Sequence, residues 1–198
     1  LIMNLFPIFL KLSKRHCLVV GAGKIAEEKI EGLLSAGAEI YVVAPKATPR
    51  IRALAQDKSI NWQCRAFRAS DLKGAFVVVA ATSSPALHEK IYREARRQKV
   101  LCNVVDDPVH CDFYYGSVVR RGALQIAIST SGKSPALAQR IRRILEQQFG
   151  PEYEEWLAAL GEARETLFSR KMDPEERKKL LHILASAEMF DDFVRRKL

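Results

Sequence analysis

The chain has 198 residues, enough for one full domain and a smaller appendage. Its 48% hydrophobic and 28% charged residues suit an ordinary soluble globular protein, and no apolar run approaches the roughly 18 residues of a membrane span. The formal charge of +9 is uneven, at +6 over residues 1–112, +5 over 113–150 and −2 over 151–198, so the middle segment is the most basic per residue. That basic segment points to nucleic acid, an acidic small molecule or a solvated face. Because no RRM, zinc-finger or helix-turn-helix pattern is present, no nucleic acid and no membrane is expected as partner. The opening Leu1–Phe6 lacks a basic n-region and a small-residue cleavage site, which argues for a cytoplasmic protein. Cys17, Cys64, Cys102 and Cys111 form no C-x-x-C pair and read as reduced thiols, with no metal site expected.

Leu5–Leu10 reads as an extended lead-in with Pro7 at an edge, and Leu12–His16 as a polar turn. Cys17–Val20 then suits a buried strand that runs into Gly21–Ala22–Gly23, with a helical pattern from Lys24 to Ala36 and Gly37 as its stop. In a doubly wound fold this is a dinucleotide site. Gly21 allows the sharp turn, Gly23 lets backbone approach a pyrophosphate, Ala26 fills the third fingerprint position, and the helix N–H groups face the negative charge. An ordinary strand-to-helix turn is the alternative. The second strand, Glu39–Ala44, ends in Pro45–Lys46 where an acidic residue would normally hold the adenosine ribose. Two readings stay open: backbone groups around Pro45 and Lys46 hold the ribose, or Lys46 and Arg50 favour a 2′-phosphate and hence NADP.

Pro49–Gln56 is expected to be a short helix, Ile60–Arg65 a strand, and Asp71–Gly74 a turn. Ala75–Ala81 is apolar throughout, as a strand covered on both faces would be. Thr82–Pro85 leads into a helix with Pro85 suited to its first turn and His88–Gln98 completing it, and Val100–Val105 makes another buried strand ending at Asp106–Asp107–Pro108. This alternation predicts a parallel sheet whose strand ends at Gly21–Gly23, Ala81–Thr82 and Asp106 converge on one crevice. Asp106 is the candidate for chemistry, with a turn former ahead of proline as the plain alternative.

Phe113–Arg120 and Ala123–Ser129 read as a hairpin joined by Arg121–Gly122, which needs a partner surface, most simply a second copy of the chain. Thr130–Pro135 opens a helix with Ser134 as N-cap and Pro135 at its first position. A Ser/Gly/Lys loop at a helix start suits anions, although plain capping explains it equally. From Pro151 the chain is helical. Tyr153, Trp156, Leu157, Leu160 and Leu167 form a core stripe, Asp173–Pro174 starts a helix with Leu180, Leu181 and Leu184, and His182 is expected to be packed there.

The motifs LVVGAGKIAEEK, AGAEIYVVAP, VVVAATSS, CNVVDDP and ISTSGKSPALAQRIR together resemble the precorrin-2 dehydrogenase/sirohydrochlorin ferrochelatase family, the dehydrogenase part of sirohaem synthase, over nearly the whole chain. The resemblance implies an α/β protein with an NAD-binding Rossmann domain over 1–112, a hairpin-centred dimerisation region over 113–149 and a helical region over 150–198, assembled as a homodimer. It implies NAD-dependent oxidation of precorrin-2 to sirohydrochlorin, which some members follow by inserting ferrous ion. It assigns catalysis to Asp106 and cofactor contacts to Lys24, Ile25, Pro45 and Lys46, beside Gly21, Gly23, Ala81 and Thr82. The missing acid after the second strand becomes a family trait. The substrate is a polycarboxylate tetrapyrrole, which suits Arg120, Arg121, Ser131, Lys133 and Ser134 of the basic segment. The family often has three consecutive glycines where this chain has Gly21–Ala22–Gly23, and Ala22 is compatible if its φ is negative. A non-catalytic NAD-binding sensor is the rival reading.

Overall fold

The computed structural model describes residues 5–197. Residues 5–114 form one compact unit and residues 115–197 another.

In the first unit the strands are β1 (His16–Val20), β2 (Glu39–Val43), β3 (Asn61–Gln63), β4 (Val77–Ala80) and β5 (Leu101–Val104). Between them run the helices α1 (Lys24–Ser35), α2 (Pro49–Gln56) and α3 (Pro85–Gln98). The strands pair in parallel in the order β3-β2-β1-β4-β5, with Val19 opposite both Val42 and Val79. Crossover helices cover both faces, which is why the central strands are apolar throughout rather than alternating. Cys17, Val19, Val42 and Val79 pack under Ala26, Ile30 and Leu33 of α1 and Ile51 and Leu54 of α2. Leu18, Val20, Val78 and Val104 pack on the other face with Ile91 and Ala95 of α3. This is the α/β doubly wound sheet expected from the alternation of strands and helices.

One boundary differs from expectation. The third strand shrinks to Asn61–Gln63 because β3 is an edge strand that pairs only with β2. The third helix opens at Pro85 as expected: the Ser84 hydroxyl accepts from Leu87 N–H (3.4 Å), and proline takes the first helical position.

The turn near Asp71 is a short 3-10 helix, Ala69–Leu72, locked by one carboxylate. The Arg65 guanidinium donates to Asp71 twice (2.7 and 2.9 Å), and Arg68 N–H donates a third bond (2.8 Å). Burial pushes the Asp71 carboxyl up, but the Arg65 and Arg68 bonds outweigh it and hold the group below its ordinary 3.8. A depressed folded-state value adds stability that is present above pH 3.8 and lost as pH falls through the lower, folded value. Asp71→Asn should therefore cost about 2 kcal/mol at neutral pH, discounted for the partly exposed arginine. In denaturant melts repeated at falling pH, the gap between variant and wild type should hold well above pH 3.8, narrow as pH falls from there toward the folded value, and be closed below it.

In the second unit β6 (Ser117–Arg121) and β7 (Leu124–Ile128) form an antiparallel hairpin, followed by α4 (Pro135–Gln148), α5 (Glu152–Ser169), α6 (Pro174–Leu184) and α7 (Ala187–Arg195). The hairpin is later and shorter than expected. Its register pairs Arg121 with Leu124, so the turn is Gly122–Ala123, with Gly122 at φ +55°, and Phe113–Gly116 precede the strand. Among the described residues only Val119 and Ala138 of this unit are fully buried apolar side chains. The expected stripe of Tyr153, Trp156, Leu157, Leu160 and Leu167 is half-buried. Tyr153 stacks on Phe190 (4.5 Å) and Trp156 on Phe193 (5.1 Å), so α7 provides much of its cover. His182 is exposed, not packed, because Leu180, Leu181 and Leu184 make the half-buried stripe of α6 and His182 lies off it.

Candidate cofactor and active site

The site is built where β1 and β4 separate the two halves of the sheet, at their carboxyl ends. There the chain leaves β1 toward α1 on one face and leaves β4 toward α3 on the other, and a crevice opens between the two turns. Gly21 sits at φ +107°, and a Cβ there would overlap the main-chain carbonyl of Ala81 and press on the Thr82 methyl. Gly23 is the opposite case. It is extended (φ −90°), and a Cβ added to it would meet nothing within 4 Å. It is also the N-cap of α1 and gives the helix no capping side chain, so the first-turn N–H groups face open space beside a turn shaped to bring a ligand close. Gly21, Gly23 and this uncapped start fit a dinucleotide pyrophosphate. Ala22 is buried, and its carbonyl accepts from Thr48 N–H (3.1 Å), which ties the turn to the segment after β2. Lys24 and Ile25 are exposed in the first turn of α1, and Pro45 and Lys46 are exposed beyond β2.

Three main-chain hydrogen bonds continue the sheet past its last strand pairs. Gly21 N–H donates to Val43 O (3.0 Å), Ala81 N–H to Val20 O (2.8 Å) and Val105 N–H to Ala80 O (3.0 Å). The turns after β1, β4 and β5 are thereby aligned on one edge, which brings Gly21, Ala81, Thr82 and Asp106 to neighbouring positions. Thr82 is held further by His88, a buried side chain whose Nε2 lies 2.8 Å from the Thr82 carbonyl. His88 escaped notice in the sequence because it sits on the apolar stripe of α3.

Asp106 is exposed and left-handed, at φ +60°. Few residues other than glycine adopt this conformation, with aspartate and asparagine among the more tolerant. The surrounding structure holds it there. Cys111 Sγ accepts from Val104 N–H (3.3 Å) and lies 3.2 Å from the Val104 carbonyl. Asp112 accepts from Cys102 N–H (3.0 Å), and the buried Asn103 amide donates to Phe113 O (2.8 Å). These bonds fasten residues 111–113 along the open edge of β5 and close the base of the loop that carries Asp106. Within that loop the His110 ring donates to Asp107 (2.7 Å), and this bond holds the Asp107 carboxyl below its ordinary value. Burial pushes the Cys102 thiol up to about 12, so it is an inert strand residue. Among the described residues no group of three or more His, Cys, Asp or Glu could hold a metal ion.

Arg120, Arg121, Ser131, Lys133 and Ser134 belong to the second unit. Arg121 is committed to the end of α4, donating to the carbonyls of Phe149 (2.8 Å), Glu146 (2.9 Å) and Arg120 (2.8 Å). The Ser134 hydroxyl caps α4 by accepting from Leu137 N–H (3.2 Å). Ser131 is left-handed (φ +51°), and Arg120 and Lys133 are exposed.

Residues 8–117, more than half of the chain, match the family described as putative NAD(P)-binding. The chain belongs to that family. Residues 121–148 match a second family, the central region of a sirohaem biosynthesis protein. Siroheme synthase 1 of Serratia proteamaculans is 43% identical over 144 residues, covering 73% of this chain and 30% of that protein. The siroheme synthase of Neisseria meningitidis serogroup C is 38% identical over 177 residues, 89% of this chain and 37% of that one. The chain thus spans well under half the length of these relatives. A solved structure titled SirC, precorrin-2 dehydrogenase, is similar over 97% of this chain and 98% of that one, with a TM-score of 0.80 and 26% identity. The expected fold, a Rossmann sheet followed by a small hairpin and helices, is borne out, as is the resemblance to the sirohaem family. No helix among the described residues is long and apolar enough to cross a membrane.

Proposed function

We propose that this chain is an NAD-dependent precorrin-2 dehydrogenase that forms sirohydrochlorin on the route to sirohaem. The observation that carries the reading is the alignment of Asp106 with the glycine turn. A left-handed carboxylate stands on the same sheet edge as a dinucleotide cradle, held by the hydrogen bonds that fasten Cys111 and Asp112 to β5. Strained polar residues held by their surroundings cluster at functional sites. The likeness to a precorrin-2 dehydrogenase over nearly its full length supports the choice of substrate.

Gly21, Gly23 and the α1 N–H groups bind the pyrophosphate in this reading, with Lys24, Ile25, Pro45 and Lys46 flanking the nucleotide and Ala81 and Thr82 walling the crevice. NAD, when bound, supplies the acceptor for the hydride that leaves the tetrapyrrole. The accompanying proton goes to the Asp106 carboxyl, which lies at the crevice and is open to the substrate. The substrate's carboxylates are assigned to Arg120, Lys133 and the Ser131–Ser134 helix entrance. Arg121 contributes to this surface by fixing the hairpin against the end of α4. A cytoplasmic homodimer completes the proposal, supported by a hairpin unit in which only Val119 and Ala138 are fully buried apolar side chains among the described residues.

Anaerobic incubation with precorrin-2 and NAD tests the reading. NADH should appear together with the sirohydrochlorin spectrum, and ferrous ion added afterwards tests for enzyme-dependent sirohaem formation. NAD binding without NADH formation from fresh substrate would leave the sensor as the better account.

A further inference from the structure

The turn after β4 is held from behind by a side chain that packing alone does not call for. His88 lies on the apolar stripe of α3 with Ile91 and Ala95 and is only 8% exposed, a place where leucine would pack without a polar group to satisfy. Its Nε2 lies 2.8 Å from the Thr82 carbonyl. A carbonyl only accepts, so Nε2 carries the hydrogen and donates it. Burying a polar ring costs free energy that this bond offsets. What the bond fixes is the direction of one peptide plane.

The Thr82–Ser83 peptide is trans, so the Ser83 N–H points opposite to the Thr82 carbonyl, away from His88 and α3. Across the turn from α3 stands Gly21, where an added Cβ would meet the Thr82 methyl at 3.3 Å. Among the described residues no acceptor takes the Ser83 N–H, and Ser83 is exposed. Its neighbours are engaged: Ser84 N–H donates to the Thr82 hydroxyl (3.4 Å), and the Ser84 hydroxyl caps α3. The open donor therefore belongs to the turn and not to the helix end. In the strand order β1-β4-β5 it stands between the glycine turn and the Asp106 loop. The part of a dinucleotide between its pyrophosphate and its reacting ring would lie there.

We propose that His88 is a positioning residue for the cofactor, acting through the Thr82–Ser83 peptide to aim the Ser83 N–H at an oxygen on the nicotinamide half of the dinucleotide. The inference rests on the reading of Gly21 and Gly23 as the pyrophosphate cradle. It concerns binding, and its test needs no substrate turnover.

NADH and ADP are titrated separately into the full chain by calorimetry, with melting temperatures recorded for each variant. ADP carries the adenosine and two phosphates and nothing of the nicotinamide half. His88→Leu keeps an apolar bulk on the stripe and removes the donor. It should raise the NADH dissociation constant about five- to tenfold, the worth of one hydrogen bond, and leave ADP within about twofold of wild type. His88→Gln, whose amide can donate to the same carbonyl, should bring NADH back to within about threefold. His88→Met takes the place of leucine if that variant does not fold. Equal weakening of NADH and ADP would make His88 a structural residue and overturn the proposal. NADH binding to His88→Leu within about twofold of wild type would also overturn it, as would a glutamine variant as weak as the leucine one. Wild-type protein that binds neither ligand would remove the cradle reading, and the proposal with it.

Discussion

Asp106→Asn is expected to lower precorrin-2 turnover about 100-fold or more, within the range general-base groups contribute, while the affinity for NADH changes little. Asparagine is the informative replacement because it keeps the size of the side chain and tolerates the left-handed φ of +60° that the loop imposes. It removes the proton acceptor and nothing else. The loop itself stays closed, because its base is fastened by Cys111, Asp112 and Asn103 rather than by Asp106. Asp106→Gly is the companion variant. It relieves the left-handed strain, so its melting temperature should not fall below wild type, yet it should be as inactive as the asparagine variant. A protein that is at least as stable and still inactive separates chemistry from folding. Turnover of Asp106→Asn within about twofold of wild type would remove Asp106 from the reaction, whatever the cofactor does.

The parts of this molecule that were legible in the sequence are those with a local cause. Cys17–Val20 and Val77–Ala80 are buried on both faces, so their side chains are uniformly apolar, and Gly21 after the first of them must be glycine. Ser134–Pro135 and Asp173–Pro174 announce helix starts because capping and the fixed φ of proline act within one turn. The rest depends on partners far along the chain. Arg121 looks like a free cation in a basic segment, but its guanidinium meets carbonyls 25 and 28 residues away. Phe113 carries the apolar signature of a strand, yet its carbonyl serves the amide of Asn103 and the hairpin begins only at Ser117. His88 and Cys111 both sit in apolar surroundings, and only the folded chain brings the first to Thr82 and the second to Val104. Asp106 falls between these cases. Its place at a strand end could be read from the pattern, whereas its left-handed backbone could not.

Gly21→Ala and Gly23→Ala should fail in opposite ways, although the two glycines stand two residues apart in one motif. At Gly21 a methyl group meets the Ala81 carbonyl, which is main chain and is anchored because Ala81 N–H is bonded to Val20. Nothing there can swing aside, and φ of +107° is unfavourable for any L side chain. The cost should be about 3 kcal/mol or more, seen as a melting temperature at least about 10 °C lower or as failure to fold. At Gly23 the backbone is ordinary and the methyl enters empty space. The expected cost there is the loss of a tolerated N-cap, about 0.5–1 kcal/mol, or a fall of roughly 2–3 °C. Binding should nonetheless suffer, because the methyl occupies the approach that the pyrophosphate needs, and the NADH dissociation constant should rise about tenfold or more. A Gly21→Ala protein melting within a few degrees of wild type would mean that β1 and β4 can part at their ends. A Gly23→Ala protein that binds NADH normally would move the pyrophosphate away from this turn, and with it the line from cradle to Asp106 on which the proposed chemistry depends.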